Sequence, residues 1–474
     1  MLRDRVGPVV FLLALGLLCA GAPPADGSGF QLVEQSGSGL GNAFAGQAAG
    51  VRDASAIFFN PAALVRLDGR QFIVSVDPVG VGTDFSDANS GRPYLPVGPG
   101  LPLPVRLGSA GGDAGGWAPV PNGYVSWRVA SPVWLGLGVN APFGLKTEWE
   151  PDWVGRFHAI KSEVRTLNLN PTVAVRLGDV LSLGVGANYQ RLKAELTQNV
   201  AYGGVAFGAA GAAGGPAAAG AILAQLQPAG LAYEGLGRVE GDSWSWGWNA
   251  GLFLRLGEAA RVGLSYRSSV AHDLQGQVTF ENAPAFRASG PVGALGAALN
   301  ARFASGPVTT TVELPDTFSV AASYEKGRYE ILADWTYTGW SSVQQLDISR
   351  VDGSPVSTVP LQFEDTWRAG LGLNCRLDDR RMLRLGTAYD VTPVQDAYRT
   401  PRLPDADRVW AAAGLQWKLG QKAAVDVGYA HLFVGEATSD LPNQETPTSA
   451  PTGPLVGEYS AKVNVFSLQF RLAF

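Results

Sequence analysis

Hydrophobic and polar positions alternate with a period of two, segment after segment, from about Arg70 to the last residue. Trp244, Trp246, Trp248, Ala250, Leu252, Leu254 and Leu256 share one parity, while Ser243, Ser245, Gly247, Asn249 and Gly251 share the other. The same division separates Leu181, Leu183, Val185 and Ala187 from Ser182, Gly184, Gly186 and Asn188. It returns in Leu371, Leu373, Cys375 and Leu377 against Gly372, Asn374 and Arg376. Successive side chains of a β-strand point to opposite faces, so this period predicts strands. A soluble sandwich alternates too. Here the second face is small and polar, Trp lies near strand ends, and segments of about ten residues suit staves that cross a bilayer. The expectation is an all-β fold, an antiparallel transmembrane β-barrel over residues 70–474 with about fourteen strands, an even number.

The final segment is the clearest strand. Phe466, Leu468, Phe470, Leu472 and the terminal Phe474 alternate with Ser467, Gln469, Arg471 and Ala473. An exposed amphipathic edge of this kind would promote aggregation of a soluble protein. As a closing stave ending in Phe474, it resembles the signal read by the barrel-assembly machinery of outer membranes. Two interruptions break the alternation. One is the Gly/Ala tract from Ala201 to about Gly235, with the helix-like PAAAGAILAQLQ after Gly215; the other is PVGALGAALNARF from Pro291. Pro suits a first helical position, so these are either low-complexity loop tips or a pair of apolar helices outside the barrel. Long connections lie on the external side. The polar, Pro-rich run from Leu441 to Leu455 reads as another external loop, a mobile one.

Composition supports the lipid setting. Gly accounts for 61 of 474 residues, charged residues for 16% and aromatics for 10%. That is about twice the usual Gly and well below the roughly 25% charge of soluble chains. The net charge of −5 lacks the basic footprint of a nucleic-acid binder. Residues 1–27 read as a secretory signal peptide: Arg3 and Arg5 precede an apolar core from Val9 to Ala20 that is too short for a membrane helix. Cleavage fits after Ala20-Gly21-Ala22 or after Ala25-Asp26-Gly27. No later apolar run of 18 residues is found, so strands rather than helices are expected to hold the chain in a membrane. Cys19 falls in the leader and leaves Cys375 alone, which excludes a disulfide framework or a cysteine metal site.

Residues for catalysis do not assemble. His158, His272 and His431 are far apart, no Ser sits in a Gly-x-Ser-x-Gly elbow, and no Ser/His pairing is evident. Gly136-Leu137-Gly138-Val139-Asn140-Ala141 fits a loose dinucleotide pattern, but Pro142 follows where a helix would begin. Asp378-Asp379 beside Arg380-Arg381 reads as a solvated hairpin turn. The expectation is no enzyme, no metal and no cofactor.

Residues 28–69 lie between the leader and the first stave. The stretch is too rich in small residues and too aperiodic for strands, with a short helix expected over Phe44 to Gly50 and a turn at Asn60-Pro61. Ile57, Phe58 and Phe59 would be needlessly exposed in a disordered leader, which favours a plug inside the barrel. Gly29-Phe30, Ser38 to Asn42 and Asn60-Pro61-Ala62 are the start of a resemblance that continues through NAPFGLKTEW from Asn140, TLNLNPTVAV from Thr166, LPDTFSV from Leu314 and TPRLPDADRVW from Thr400. These motifs resemble the FadL/TodX family of outer-membrane transporters for long-chain fatty acids and aromatic hydrocarbons, over essentially the whole mature chain.

The resemblance implies a monomeric barrel plugged by an N-terminal hatch, in the multi-pass setting of a Gram-negative outer membrane with its lipids and lipopolysaccharide. It implies two external helices forming a low-affinity groove, and passive uptake of hydrophobic molecules that leave sideways through the wall. Phe30 and Leu32 would line the ligand pocket. Asn60, Pro61 and Ala62 would form the hatch motif, and Pro142, Phe143 and Gly144 the lateral opening, with Gly144 expected to permit unusual backbone angles. One departure stands out. The stretches matching the family's carboxylate-binding bases, Leu196 to Asn199 and Thr358 to Asp365, hold no Lys or Arg. Unless Arg176, Arg255 or Arg376 substitutes, neutral hydrocarbons fit better than fatty acids, because a buried unpaired anion is costly.

Overall fold

The alternation does produce strands, and they close on themselves. A computed structural model describes residues 29–95, 100–290, 292–443 and 450–474; the leader, with Cys19, lies outside the described residues. The staves, some in two segments, form a closed antiparallel barrel of 14 strands. β1 is Arg70–Asp87, β2 Gly116–Ala130, β3 Val133–Asn140 with Gly144–Glu148, β4 Lys161–Leu177 and β5 Leu181–Val200. β6 is Gly235–Leu256, β7 Ala260–Arg267 with Val270–Phe280, β8 Gly306–Leu314 with Thr317–Lys326, and β9 Tyr329–Thr338 with Gln345–Arg350. β10 is Pro355–Pro360 with Thr366–Arg376, β11 Arg381–Asp390, β12 Arg408–Leu419, β13 Ala423–Val434 with Ala437–Leu441, and β14 Leu455–Ala473. Each stave pairs with its sequence neighbours, and β14 returns to β1 from Gln71↔Ala473 to Asp87↔Gly457. Closure removes the edges that an open sheet would leave unpaired in lipid.

The two parities face different surroundings, as the sequence pattern requires. Trp244, Trp246, Trp248, Leu371, Phe466 and Leu468 point outward and are exposed, while Ser182, Asn188, Asn249 and Gln469 are buried inside. One barrel end carries short turns, including Gly178–Val180, Gly257–Ala259 and the Asp378-Asp379 hairpin, together with the paired chain end where Phe474 N donates to Arg70 O at 3.0 Å. The other end carries the long connections.

Both apolar insertions are helical, with different limits from those expected. α1 runs over Tyr202–Gln225 and begins before Pro216; non-helical angles at Gly214 and Gly215 kink it where the two glycines relax the backbone. Its uncharged length is enough by composition to cross a membrane, a run that strand-oriented reading passes over because so much of it is Gly and Ala. It nevertheless connects β5 to β6 at the long-loop end. α2 is Gly293–Arg302; Pro291 lies outside the described residues. The helices meet where Tyr202 of α1 packs on Phe303, the residue that follows α2, ring centroids 4.7 Å apart. Of the Leu441 to Leu455 loop, residues 444–449 lie outside the described residues, while Gly453 accepts a bond from buried His158.

Candidate functional site inside the barrel

Residues 29–67 occupy the lumen, and the small face of the barrel explains how they fit. Asn60 caps the 3-10 turn Pro61–Arg66: its Oδ1 accepts from Ala62 N at 3.1 Å, with Pro61 at the first position, where a missing N–H costs nothing. Its Nδ2 donates to Ala48 O at 2.7 Å and to Leu252 O of β6 at 3.1 Å. The wall makes room with two directly opposed glycines, Gly184 of β5 and Gly251 of β6. A Cβ on Gly251 would stand 1.9 Å from Asn60 Oδ1, and one on Gly184 would stand 2.4 Å from Ala62 N. Asp53 adds bonds to Ser38, Ser55 and Gln469, and Arg52 pairs with Glu325 and Glu330. Only Gln47–Gly50 of the expected helix over Phe44 to Gly50 is helical, because Ala43 and Phe44 take positive φ of 48° and 57° to turn the chain.

The first residues inside the lumen are held differently, by a break in the wall. β2 and β3 pair from Ala130/Val133 only as far as Gly123/Val139. Ala141, Pro142 and Phe143 then leave the sheet, and Gly144–Glu148 pairs with β4 alone. The freed backbone groups turn to the N-terminal strip: Leu32 N donates to Pro142 O at 2.9 Å, Gly144 N to Phe30 O at 2.9 Å, and Gln31 bridges Phe143. Gln35 Nε2 reaches Ala141 O at 2.8 Å. On the other side Phe143 N bonds Thr166 Oγ1 at 2.9 Å. Gly144 is not among the glycines with positive φ. The reason expected for it is therefore corrected: it serves as a small residue that donates across the break, not as a source of left-handed angles.

Facing the break, β2 reads Trp117-Ala118-Pro119-Val120-Pro121. Pro119 lies opposite Pro78 of β1. Neither residue has an N–H, so this cannot be a hydrogen-bonded pair. The N positions of Pro119 and Pro121 therefore point away from β1 toward the missing partner, and proline removes the donors that the unpaired edge would otherwise present. Sequence reading missed this pair. Its signal is two alternating prolines in a stretch that otherwise reads as strand.

Directly behind the bend the packing is apolar: Leu32, Phe44, Ala118, Val120, Val463 and Val465 form one buried cluster, with Ala141 against it. The cavity beside it, of about 110 Å³, is two-sided, with Leu32, Phe58, Phe59, Pro142 and Phe143 on one side and Arg267, Asp334, Arg368 and Asp390 among the polar residues of the other. Phe30 stacks edge-on against buried Trp340 at 4.8 Å and lies 5.9 Å from Phe143. The structure thus brings Phe30, Leu32, Pro142, Phe143 and Gly144 together, and seats Asn60, Pro61 and Ala62 apart on the β5/β6 wall. Glu34, between the groups, is fully buried with no partner for either carboxylate oxygen among the described residues. Burial pushes its carboxyl up to about 7, although Arg408 and Arg368 pull the other way.

The bases named as substitutes lie elsewhere. Arg176 donates to Val65 O, Arg255 pairs with Asp179 at a short turn, and Arg376 pairs with Glu325 near the same end. One Ser/His contact unforeseen in the sequence occurs: Ser243 Oγ lies 2.9 Å from His272 Nδ1. The far ring nitrogen of His272 faces Gln190 rather than a carboxylate, so the arrangement lacks the acid that orients a catalytic histidine. No cluster of three metal-binding side chains occurs among the described residues.

A closed barrel with an occupied lumen, an inward break and apolar lining defines the class of outer-membrane transport barrels. The chain belongs to the outer membrane protein transport protein family (OMPP1/FadL/TodX), whose pattern matches residues 17–474. It is 30% identical over 434 residues to outer membrane protein P1 of Haemophilus influenzae, covering 89% of each chain. It is 29% identical over 455 residues to the long-chain fatty acid transport protein of Escherichia coli, covering 94% of each. A Pseudomonas aeruginosa FadL homologue superposes with a TM-score of 0.79 at 26% identity, over 94% of this chain and 100% of that one. The Pseudomonas putida toluene transporter TodX shares the fold, with a TM-score of 0.63 at 16% identity, over 91% of this chain and 98% of that one. The protein is thus an outer-membrane barrel.

Proposed function

We propose that this chain is a passive channel admitting hydrophobic molecules, long-chain fatty acids or aromatic and aliphatic hydrocarbons, which leave through the β2/β3 break into the membrane. The observation that carries the reading is the inward bend Ala141-Pro142-Phe143, whose backbone is satisfied from inside the protein by Leu32, Gln35 and Thr166 while an apolar cluster stands directly behind it. The other way out is unfavourable. Below residues 36–53, toward the short-turn end, a cavity of about 270 Å³ is lined by Arg52, Asp53, Glu330, Arg376, Arg384 and Arg471, which gives an apolar solute nothing to replace its contacts.

In this reading residues 1–27 are a cleaved signal peptide, 28–69 the hatch and 70–474 the barrel, with the short turns in the periplasm. Phe30 and Leu32 hold the ligand, Asn60, Pro61 and Ala62 anchor the hatch, and Pro142, Phe143 and Gly144 gate the exit. The barrel acts as a monomer among outer-membrane lipids and lipopolysaccharide, and the Phe474 strand addresses it to the assembly machinery. No enzymatic step and no cofactor enter.

The test is Gly144→Trp. Overpacking of about 1–3 kcal/mol at the exit slows uptake by cells about ten- to hundred-fold, while a radiolabelled apolar compound still binds the purified, heat-modifiable barrel. Uptake at the unmutated rate by the correctly folded variant removes Gly144 from the route and with it the lateral exit.

A further inference from the structure

The substrate carboxylate lacked a base in the sequence, yet the fold brings one to the outer lumen. Arg402 lies in the connection between β11 and β12. Its backbone is fastened to the outer segment of the broken strand β3 and the residue after it: Thr147 Oγ1 donates to Arg402 O at 3.1 Å and Trp149 Nε1 to Pro401 O at 3.0 Å. The guanidinium then reaches two further staves, donating from Nη1 to Ser162 Oγ of β4 at 3.1 Å and from Nη2 to Gln198 Oε1 of β5. Arg402 is 8% exposed, both side-chain partners are neutral, and it joins no ion pair among the described residues. Among the described residues, two of its five N–H donors are engaged. A buried cation without a counter-charge is costly unless something pairs with it.

The space beside it suits an amphiphile. A cavity of about 80 Å³ is bounded by Arg402, by Leu196, Val239, Val278, Phe280 and Ile348, and by Arg302 and Phe303 at the end of α2; none of its lining residues among those described is acidic. A smaller apolar space, sharing Leu196, Val239 and Ile348, continues to Ala194, Leu274 and Val312. Leu274 belongs to the same buried cluster as Phe30, Phe143 and Leu403, the residue after Arg402, and the partly buried Val312 packs against it. A charged head at Arg402 therefore leaves an apolar route for its tail toward the N-terminal strip.

We propose that Arg402 is the specificity-determining residue of this channel: it binds the head of a long-chain carboxylate and so selects fatty acids over neutral hydrocarbons. The proposal rests on the uptake reading above. The planar guanidinium offers parallel N–H bonds that match a carboxylate, and such charge-assisted bonds replace the head's lost hydration.

The test compares a fluorescent polyene fatty acid with its methyl ester, binding to purified protein in nonionic detergent at mildly alkaline pH. The unmutated chain is expected to bind the acid at least about tenfold more tightly than the ester. Arg402→Met should bring the acid down to the level of the ester without changing the ester, and Arg402→Lys should keep part of the preference. Equal affinity of the unmutated chain for acid and ester overturns the proposal, as does equal loss of both probes in a heat-modifiable Arg402→Met barrel. Displacement of the acid by an alkyl phosphate, but not by excess fatty acid, overturns the carboxylate assignment. If Arg402→Met does not assemble, Arg402→Lys and the acid-to-ester ratio of the unmutated chain decide. Failure of the unmutated chain to bind either probe counts against the uptake reading itself; normal ester binding without a preference removes only Arg402.

Discussion

Two seams of one barrel are built for opposite ends. β5 and β6 pair without interruption over all 20 residues of β5, from Leu181↔Leu254 to Val200↔Gly235. β2 and β3 stop at Gly123↔Val139 and part, with prolines on one edge and an inward bend on the other. Unpaired backbone in hydrocarbon is expensive, so a gap survives only where donors are deleted or satisfied from within. Pro119 and Pro121 do the first, and residues 30–32 do the second. The N-terminal segment spans both seams. Its Asn60-Pro61-Ala62 turn is clamped in the glycine notch of the closed seam, while its first residues complete the open one. What distinguishes the closed seam from the open one is therefore the partner of the backbone, not a change in overall strand character.

The largest effect should come from filling the notch in the closed seam. In Gly251→Leu the new side chain starts 1.9 Å from Asn60 Oδ1, so the turn must leave its seat. Overpacking of this kind costs about 1–3 kcal/mol or more, while the strand pairing that holds the barrel is untouched. The expected result is a heat-modifiable barrel with raised permeability to small polar antibiotics and fast hydrogen exchange over residues 56–66. Unchanged exchange there would mean that the notch yields and the seams differ less than their geometry suggests.

Asn60→Ala removes the anchor from the other side. It leaves Ala62 N without its cap and removes the bonds that Asn60 Nδ2 gives to Ala48 O and Leu252 O, a loss of about 1–3 kcal/mol in hatch seating. Uptake of an apolar substrate should fall while the amount of assembled barrel stays constant. A parallel fall in assembled protein would make Asn60 a folding residue only.

How far the sequence carried this picture follows from what each feature leaves in it. Strands and lipid-facing parity were legible at Trp244 to Leu256 because lipid and lumen make opposite demands on alternate residues. Gly184 and Gly251 were legible only as members of a small face; that they oppose each other across one seam depends on register. Pro119 and Pro121 carried a signal that went unread, since proline counts against strand unless an edge is expected. Arg402 carried none: it sits in a connection 240 positions from Ser162 and 204 from Gln198, so closure of the barrel alone makes it a lumen base. Of the kinked helix α1 only the part after Gly215 was legible; the part before it was not, because its run of Gly and Ala gives no periodicity.

The smallest expected effect sharpens the open seam. Glu34 O accepts from Asn122 Nδ2 at 2.9 Å, on β2 just where pairing with β3 ends. The Glu34 side chain is buried near Arg408, Arg368 and Asp390, and burial lifts its carboxyl from 4.5 to about 7. Seated, the group prefers its proton; released to water, it titrates near 4.5. Below 4.5 both states are protonated and seating is at its strongest; between 4.5 and 7 only the seated state keeps the proton, so seating weakens as pH rises and levels off above 7. Amide exchange at Leu32 and Gly144, whose N–H groups close the break, should therefore accelerate between pH 4.5 and 7 beyond the intrinsic base-catalysed rise, and follow that rise alone above 7. Glu34→Gln stays neutral and should show the intrinsic rise alone. An unmutated chain whose exchange matches the Gln variant at every pH would show that Glu34 is indifferent to seating, and the strip would then be held by its backbone bonds to the bend and its aromatic contacts.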